Sequence, residues 1–208
     1  MLIKVCGITS VEDARAAVDA GATALGFNFY AKSPRFVEPE ALAEWVDEAP
    51  REVVRVGVFV NESAARVAEV VERCRLDVAQ LHGEAAVMGV RTWLARSVDG
   101  AFRAGELMEG PEAGLPEAWL LDAPAGALYG GTGTTFDWAL VRGLQRRIVL
   151  AGGLDGGNVA RAIAVARPWG VDACSRLESA PGKKDRAKVE AFVAAARGAF
   201  ALMETNTK

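Results

Sequence analysis

Eight short apolar runs rich in β-branched residues recur along the chain, with helix-forming stretches between them. That alternation restricts the fold more than any other feature. The runs are Leu2–Cys6, Ala24–Phe29, Val54–Val60, Val78–His82, Thr92–Ser97, Ala118–Asp122, Ile148–Ala151 and Gly170–Cys174. Eight strand–helix units in 208 residues predict one α/β domain over residues 1–208, a (β/α)8 barrel, with a doubly wound open sheet as the competing arrangement. The span from His82 to Thr92 is short, so the fourth helix is expected to be shortened. The stretch from Gly100 to Glu117 is rich in Gly, Pro and Glu, so the fifth connection should be irregular.

Local signals support the first unit and the last helix. Ser10 with Asp13 three residues on reads as a capping box, and Gly21 as the stop of that helix. Asn61 or Ser63 caps the helix that runs to Cys74. From Arg186 to Met203 an apolar stripe at Val189, Phe192, Val193 and Ala196 predicts a helix on the outside of the barrel.

Charge and composition narrow the function classes. A net charge of -3 with both signs interspersed offers no basic field for nucleic acid. No apolar stretch approaches the roughly 18 residues of a membrane span, and the first residues carry no signal-peptide pattern, so a cytoplasmic protein is expected. Three scattered cysteines fit neither a disulfide framework nor a zinc spacing, and with one histidine, His82, an imidazole-based metal site is not expected.

A barrel of this kind binds ligands at the C-terminal ends of its strands, so those ends rank the candidates: Cys6, Asn28, Asn61, His82, Asp122, Gly152–Gly153 and Cys174–Ser175. Cys6 lies on the same strand face as Lys4. A cation beside a thiol of pKa roughly 8.5 favours the thiolate, while the alternative is a small buried hydrophobe. Lys4 itself needs a carboxylate or a ligand if it points inward. Asp122 ends a fully apolar run. Burial would raise its pKa into the range of a general acid, or it caps a turn ahead of Pro124. Gly130-Gly131-Thr132-Gly133, Gly152-Gly153 and Ser175 follow the sixth, seventh and eighth strands, where glycine backbone and helix termini suit a phosphate. Arg35 could clamp a carboxylate or simply be solvated, and His82 could touch a ligand or satisfy a neighbour. Asp172 and Glu178 read as residues that orient others.

In order along the chain, these segments resemble the phosphoribosylanthranilate isomerase family. The resemblance rests on Lys4-Val5-Cys6-Gly7-Ile8-Thr9, Ser33-Pro34-Arg35, Val56 to Asn61, Gln80-Leu81-His82-Gly83, Leu120-Leu121-Asp122, Gly130 to Gly133, Phe136-Asp137-Trp138, Leu150 to Leu154, Gly170-Val171-Asp172 and Pro181-Gly182. It implies an Amadori rearrangement of N-(5-phosphoribosyl)anthranilate in tryptophan biosynthesis, with no cofactor and no metal. By the same resemblance Asp122 is the general acid, Cys6 the base, and Arg35 the partner of the anthranilate carboxylate. Further substrate contacts are expected at His82, Asn28 and Lys4, and phosphate contacts at Gly131, Thr132, Gly133, Gly152, Gly153 and Ser175. The expected partner is a small phosphoribosylated anthranilate, for a monomer or homodimer that engages neither nucleic acid nor membrane.

Three segments depart from the family's pattern. Cys174-Ser175-Arg176 stands where Ser-Ser-Gly is usual, the connection after His82 is short, and Thr92–Ser97 lacks the usual lysine. Arg176 either strains a backbone that wants positive φ or adds a charge to the phosphate. Competing readings are another phosphosugar isomerase, such as the histidine-pathway enzyme that usually has aspartate in place of Cys6, and a barrel that binds a phosphorylated ligand without turnover.

Overall fold

A computed structural model describes residues 1–83, 89–108, 115–124 and 135–205. Eight parallel strands close into a barrel in sequence order: β1 (Leu2–Cys6), β2 (Ala24–Asn28), β3 (Val54–Val60), β4 (Val78–His82), β5 (Thr92–Ser97), β6 (Ala118–Asp122), β7 (Ile148–Leu150) and β8 (Gly170–Ala173). Closure comes from β1 pairing with β8 in the register Lys4 to Asp172 and Val5 to Ala173. The open-sheet alternative is thereby excluded. The helices are α1 (Val11–Asp19), α2 (Pro39–Trp45), α3 (Ala64–Arg73), α4 (Val159–Ala166) and α5 (Arg186–Thr205). After β5 the described residues hold a 3-10 turn at Ala104–Met108, and after β6 another at Trp138–Val141. The expected shortening of the fourth helix falls largely on residues 84–88, outside the described residues.

Alternation sorts each strand between two apolar cores. Inward residues, among them Leu2, Val56, Trp93, Leu120 and Val149, fill the barrel. Outward ones such as Ile3, Leu25, Phe59 and Leu121 pack under the helices. Helix α5 adds Val189, Phe192, Val193, Ala196 and Phe200 to this outer layer, following the expected stripe and extending it by a turn. At the N-terminal end Trp93 is fully buried and meets Trp169 edge-on at 5.9 Å, which plugs the barrel opposite the face where ligands bind.

Ser10 caps α1 by accepting from the Asp13 N–H at 3.2 Å, and Ser63 rather than Asn61 caps α3. The capping box is only half made. The Asp13 carboxylate accepts instead from the Lys184 N–H at 2.9 Å, so it holds a small hairpin absent from the sequence reading, β9 (Glu178–Ala180) with β10 (Lys183–Lys184). That hairpin follows β8 and reaches the site described next.

Candidate active site

The inward faces of β1, β2, β4, β5 and β6 end, at the C-terminal rim, in a polar or thiol side chain, whereas the inward row of β3 ends in Val60. On β1 the inward positions are Leu2, Lys4 and Cys6, and on β8 they are Gly170 and Asp172, with Cys174 just past the strand. Ala118 and Leu120 point into the barrel, so Asp122 ends the inward row of β6. The same rule places Asn28, His82 and Ser97 at the rim of β2, β4 and β5. Cys6 and Asp122 thus open onto one mouth.

Lys4 is fully buried and donates to the Asp172 carboxylate at 3.0 Å. Burial alone would discharge the ammonium. Asp172 and the Cys6 sulfur override that, and its pKa stands above the ordinary lysine range. Lys4 also lies beside Cys6 and each favours the other's charged form, which makes it a support beneath the thiol rather than an exposed ligand contact. The Cys6 thiol is drawn down to about 7: a hydrogen bond from Cys174 lowers it most, burial opposes, Lys4 lowers it further and Asp172 raises it. Gly26 provides the space, because a Cβ there would stand 2.7 Å from the Cys6 sulfur.

Asp122 is pushed the other way, to about 6, chiefly by burial and then by the charge of Asp172; the Ala123 N–H and Lys4 pull against the rise. Gly152, with φ +85, gives this carboxyl its room. A Cβ at Gly152 would lie 2.6 Å from the Ala123 nitrogen and 2.8 Å from Asp122 Oδ1. One carboxyl raised toward neutrality and one thiol lowered toward it make an acid and a base of closely matched strength.

The remaining rim residues divide. Burial, with Lys4's charge behind it, lowers His82 to about 4, so the ring is neutral near pH 7 and pairs with Gln80 across 3.1 Å. Asn28 accepts from the Tyr30 N–H at 2.8 Å and shapes the loop that carries Arg35. Arg35 packs over Gly7 and donates Nε and Nη2 to the two oxygens of Glu178, both at 2.8 Å. The Glu178 bonds, the largest influence, raise the guanidinium above its usual pKa against burial. The carboxylate that Arg35 clamps here is therefore the protein's own, and Lys184 Nζ shares it at 2.9 Å. Nη1 makes no hydrogen bond among the described residues.

The family model described as N-(5'phosphoribosyl)anthranilate (PRA) isomerase matches residues 3–195. The chain belongs to this family. It is 54% identical over 204 residues to the N-(5'-phosphoribosyl)anthranilate isomerase of Solibacter usitatus, covering 96% of this chain and 99% of the relative. It is 48% identical to that of Geobacter sp. (strain M21), covering 94% and 97%. Among solved structures, phosphoribosyl anthranilate isomerase from Thermotoga maritima superposes with a TM-score of 0.85 at 39% identity, covering 95% of this chain and all of that one. A further phosphoribosyl anthranilate isomerase structure, a complex with reduced 1-(o-carboxyphenylamino)-1-deoxyribulose 5-phosphate, superposes with a TM-score of 0.80 at 35% identity, again covering 95% and 100%.

Two of the three departures from the phosphoribosylanthranilate isomerase pattern have physical answers among the described residues. Arg176 lies in the 3-10 turn Ser175–Leu177 and is not among the residues with positive φ, so replacing glycine there imposes no left-handed strain. Its guanidinium pairs with Asp155 at 3.3 Å, tying the loop after β8 to the loop after β7. In the latter, Gly152 and Gly153 both have positive φ, and Asn158 holds the turn through the Gly153 carbonyl at 2.8 Å. Ser175 opens the 3-10 turn after β8. Gly131, Thr132 and Gly133 lie outside the described residues. In β5, Trp93 and Ala95 fill the barrel where the family usually has lysine.

Sequence reasoning passed over the pairing of Cys174 with Cys6 and the union of Arg35, Glu178 and Lys184. The first had a signal. Lys4 and Cys6 are two apart, as are Asp172 and Cys174, and adjacent parallel strands set such pairs side by side.

Proposed function

We propose that this chain converts N-(5'-phosphoribosyl)anthranilate to its 1-amino-1-deoxyribulose phosphate, in tryptophan biosynthesis, with Asp122 as general acid and Cys6 as base. The observation that carries the reading is the pair itself: two inward rim residues on β1 and β6, with pKa values of about 7 and about 6. Asp122 gives its proton to the ribose ring oxygen as the C1–O bond breaks and the amine nitrogen's lone pair forms an iminium. The iminium acidifies the C2–H, so a thiolate of modest basicity can remove it and leave an enolamine. Ketonisation then puts a proton on C1 and releases one from the C2 hydroxyl, which returns both groups to their starting states.

The substrate carboxylate is assigned to the free edge of Arg35, and the phosphate to Gly152, Gly153 and Ser175, with Gly131, Thr132 and Gly133 assigned by family resemblance. Asn28 shapes the Arg35 loop, and neutral His82 offers an uncharged hydrogen-bonding edge. Every group in this scheme comes from one chain, so a monomer or a homodimer serves equally; the Thermotoga maritima relative is described as dimeric. No described helix is long and apolar enough to cross a membrane, and the proposal places the reaction in the cytoplasm.

Loss of phosphoribosylanthranilate fluorescence on addition of purified protein, run beside Cys6→Ser and Asp122→Asn, tests the reading. Conversion by the wild type that falls by orders of magnitude in both variants supports it. A folded wild type that binds the substrate without converting it would leave only a binding role.

A further inference from the structure

Cys174 stands beside Cys6 for a geometric reason. The β1–β8 register runs Leu2 to Gly170, Lys4 to Asp172 and Val5 to Ala173, and Cys6 and Cys174 are the next residues on the two segments where the pairing ends. The Cys174 sulfur lies over the first residue after Cys6: a Cβ on Gly7, whose φ is +73, would approach it to 2.9 Å. Lys184 Nζ fixes the far side by donating to the Cys174 carbonyl at 3.2 Å. Each thiol is the largest influence on the other's ionisation, lowering Cys6 and raising Cys174. Only one of them can be the donor once the other is ionised.

Resting on the acid–base reading above, we propose that Cys174 is a positioning residue for the reaction, its S–H donating to the Cys6 sulfur and holding it as the thiolate that removes the C2 proton. Donor and acceptor follow from what surrounds each sulfur. Cys6 has the Lys4 ammonium beneath it on its own strand, with Asp172 on β8 partly cancelling that charge, and Arg35 lies above on the β2–α2 loop. Cys174 faces Lys184 and Arg35, but each is engaged by Glu178. Asp122 and His82 reach the pair only through Lys4 and Asp172. A thiolate on Cys6 thus receives two donors, Lys4 N–H and Cys174 S–H, and a hydrogen bond to the charged form favours that form. The serine usual in the family at this place keeps a donor, which is the property the proposal says matters.

The test titrates thiolate by its ultraviolet absorbance, under reductant, in the wild type, Cys174→Ala, Cys174→Val, Cys174→Ser and Cys6→Ser. Cys74, which burial pushes up to about 11, stays out of the working range. The expected result is a low-pH ionisation that Cys6→Ser abolishes, that Ala and Val each move up by about one pKa unit, and that Ser restores to the wild-type value or below. In kcat/KM the Ala and Val variants lose about tenfold at the optimum, and their alkaline limb moves up by about one unit. Val keeps the volume without a donor, so packing loss and donor loss separate.

An ionisation unmoved in both Ala and Val overturns the proposal. So does one that survives Cys6→Ser and disappears in Cys174→Ser, since the thiolate would then belong to Cys174. The titration needs no turnover. An inactive wild type that still titrates as expected sinks the isomerase reading and leaves the donor–acceptor pair standing, whereas an active wild type with an unmoved ionisation does the reverse.

Discussion

Lys4 Nζ and Asp172 Oδ1 meet at 3.0 Å inside the barrel, one inward step beneath Cys6 and Cys174. Lys4 is wholly shielded from solvent and Asp172 nearly so, so neither charge could persist there without the other. The pair serves as the electrostatic floor of the site: its cation supports the Cys6 thiolate, and its anion helps keep the proton on Asp122.

Lys4→Met should lower stability by about 3–5 kcal/mol, because Asp172 is left buried and unpaired. Lys4→Met with Asp172→Leu removes both charges and should recover much of that loss, while activity stays low in both. Denaturant unfolding of the four members of the cycle checks this; a double variant no more stable than Lys4→Met would rule out the pair as the cause.

The two site pKa values also fix the shape of the pH profile. The proposed mechanism needs Asp122 protonated and Cys6 ionised, yet Asp122 at about 6 loses its proton before Cys6 does at about 7. The productive pairing is therefore a minor species, roughly one molecule in twenty at its peak. kcat/KM should be bell-shaped, with its maximum near pH 6.5 and limbs at about 6 and about 7. A rate still rising at pH 8.5 would remove Asp122 from the role of acid.

Much of the barrel was legible because alternation and chain order are local properties. All eight expected strands are present and five match at both ends; β2, β7 and β8 each stop one residue short at the C-terminal end, without Phe29, Ala151 and Cys174. Cys6 and Asp122 stood out because each polar group ends an apolar run. Partner choice across long sequence separation was not legible. Asp13 left its own helix end for Lys184, and Arg35 took Glu178, since those contacts depend on where the β9–β10 hairpin folds. Of the two sequence readings of Arg176 the strained backbone is ruled out, and its guanidinium pairs with Asp155, a long-range partner that the sequence did not signal.

Asp122→Asn separates stability from activity. A carboxyl whose folded pKa is raised to about 6 holds its proton more tightly in the native state than in the unfolded chain, where carboxyls titrate near 3.9. The native state is thus favoured below that lower value, and the advantage is lost as pH rises through about 6. Asparagine never ionises. The variant should be more stable than the wild type by about 1–3 kcal/mol at pH 7.5, with the gap closing by pH 4, while conversion is lost. Thermal or urea unfolding at the two pH values checks the sign, and a gap that widens toward pH 4 would contradict a buried, raised Asp122.

Arg35→Lys addresses recognition. Nε and Nη2 hold Glu178 in a two-point bond, which orients the guanidinium plane and leaves Nη1 without a hydrogen-bond partner among the described residues. On the proposed assignment the substrate carboxylate binds at Nη1 without displacing Glu178. Lysine keeps the charge but offers one ammonium where the fork presented two separate edges, so it cannot hold Glu178 and substrate in the same geometry. KM should rise by about tenfold or more with kcat within about threefold, the pattern of lost binding shared by ground and transition states. Glu178 keeps Lys184 at 2.9 Å, so the fold should survive the change. Steady-state kinetics against phosphoribosylanthranilate decide it: a fall confined to kcat would place Arg35 in support of Cys6, over which its side chain also packs through Gly7, and take the carboxylate assignment away from it.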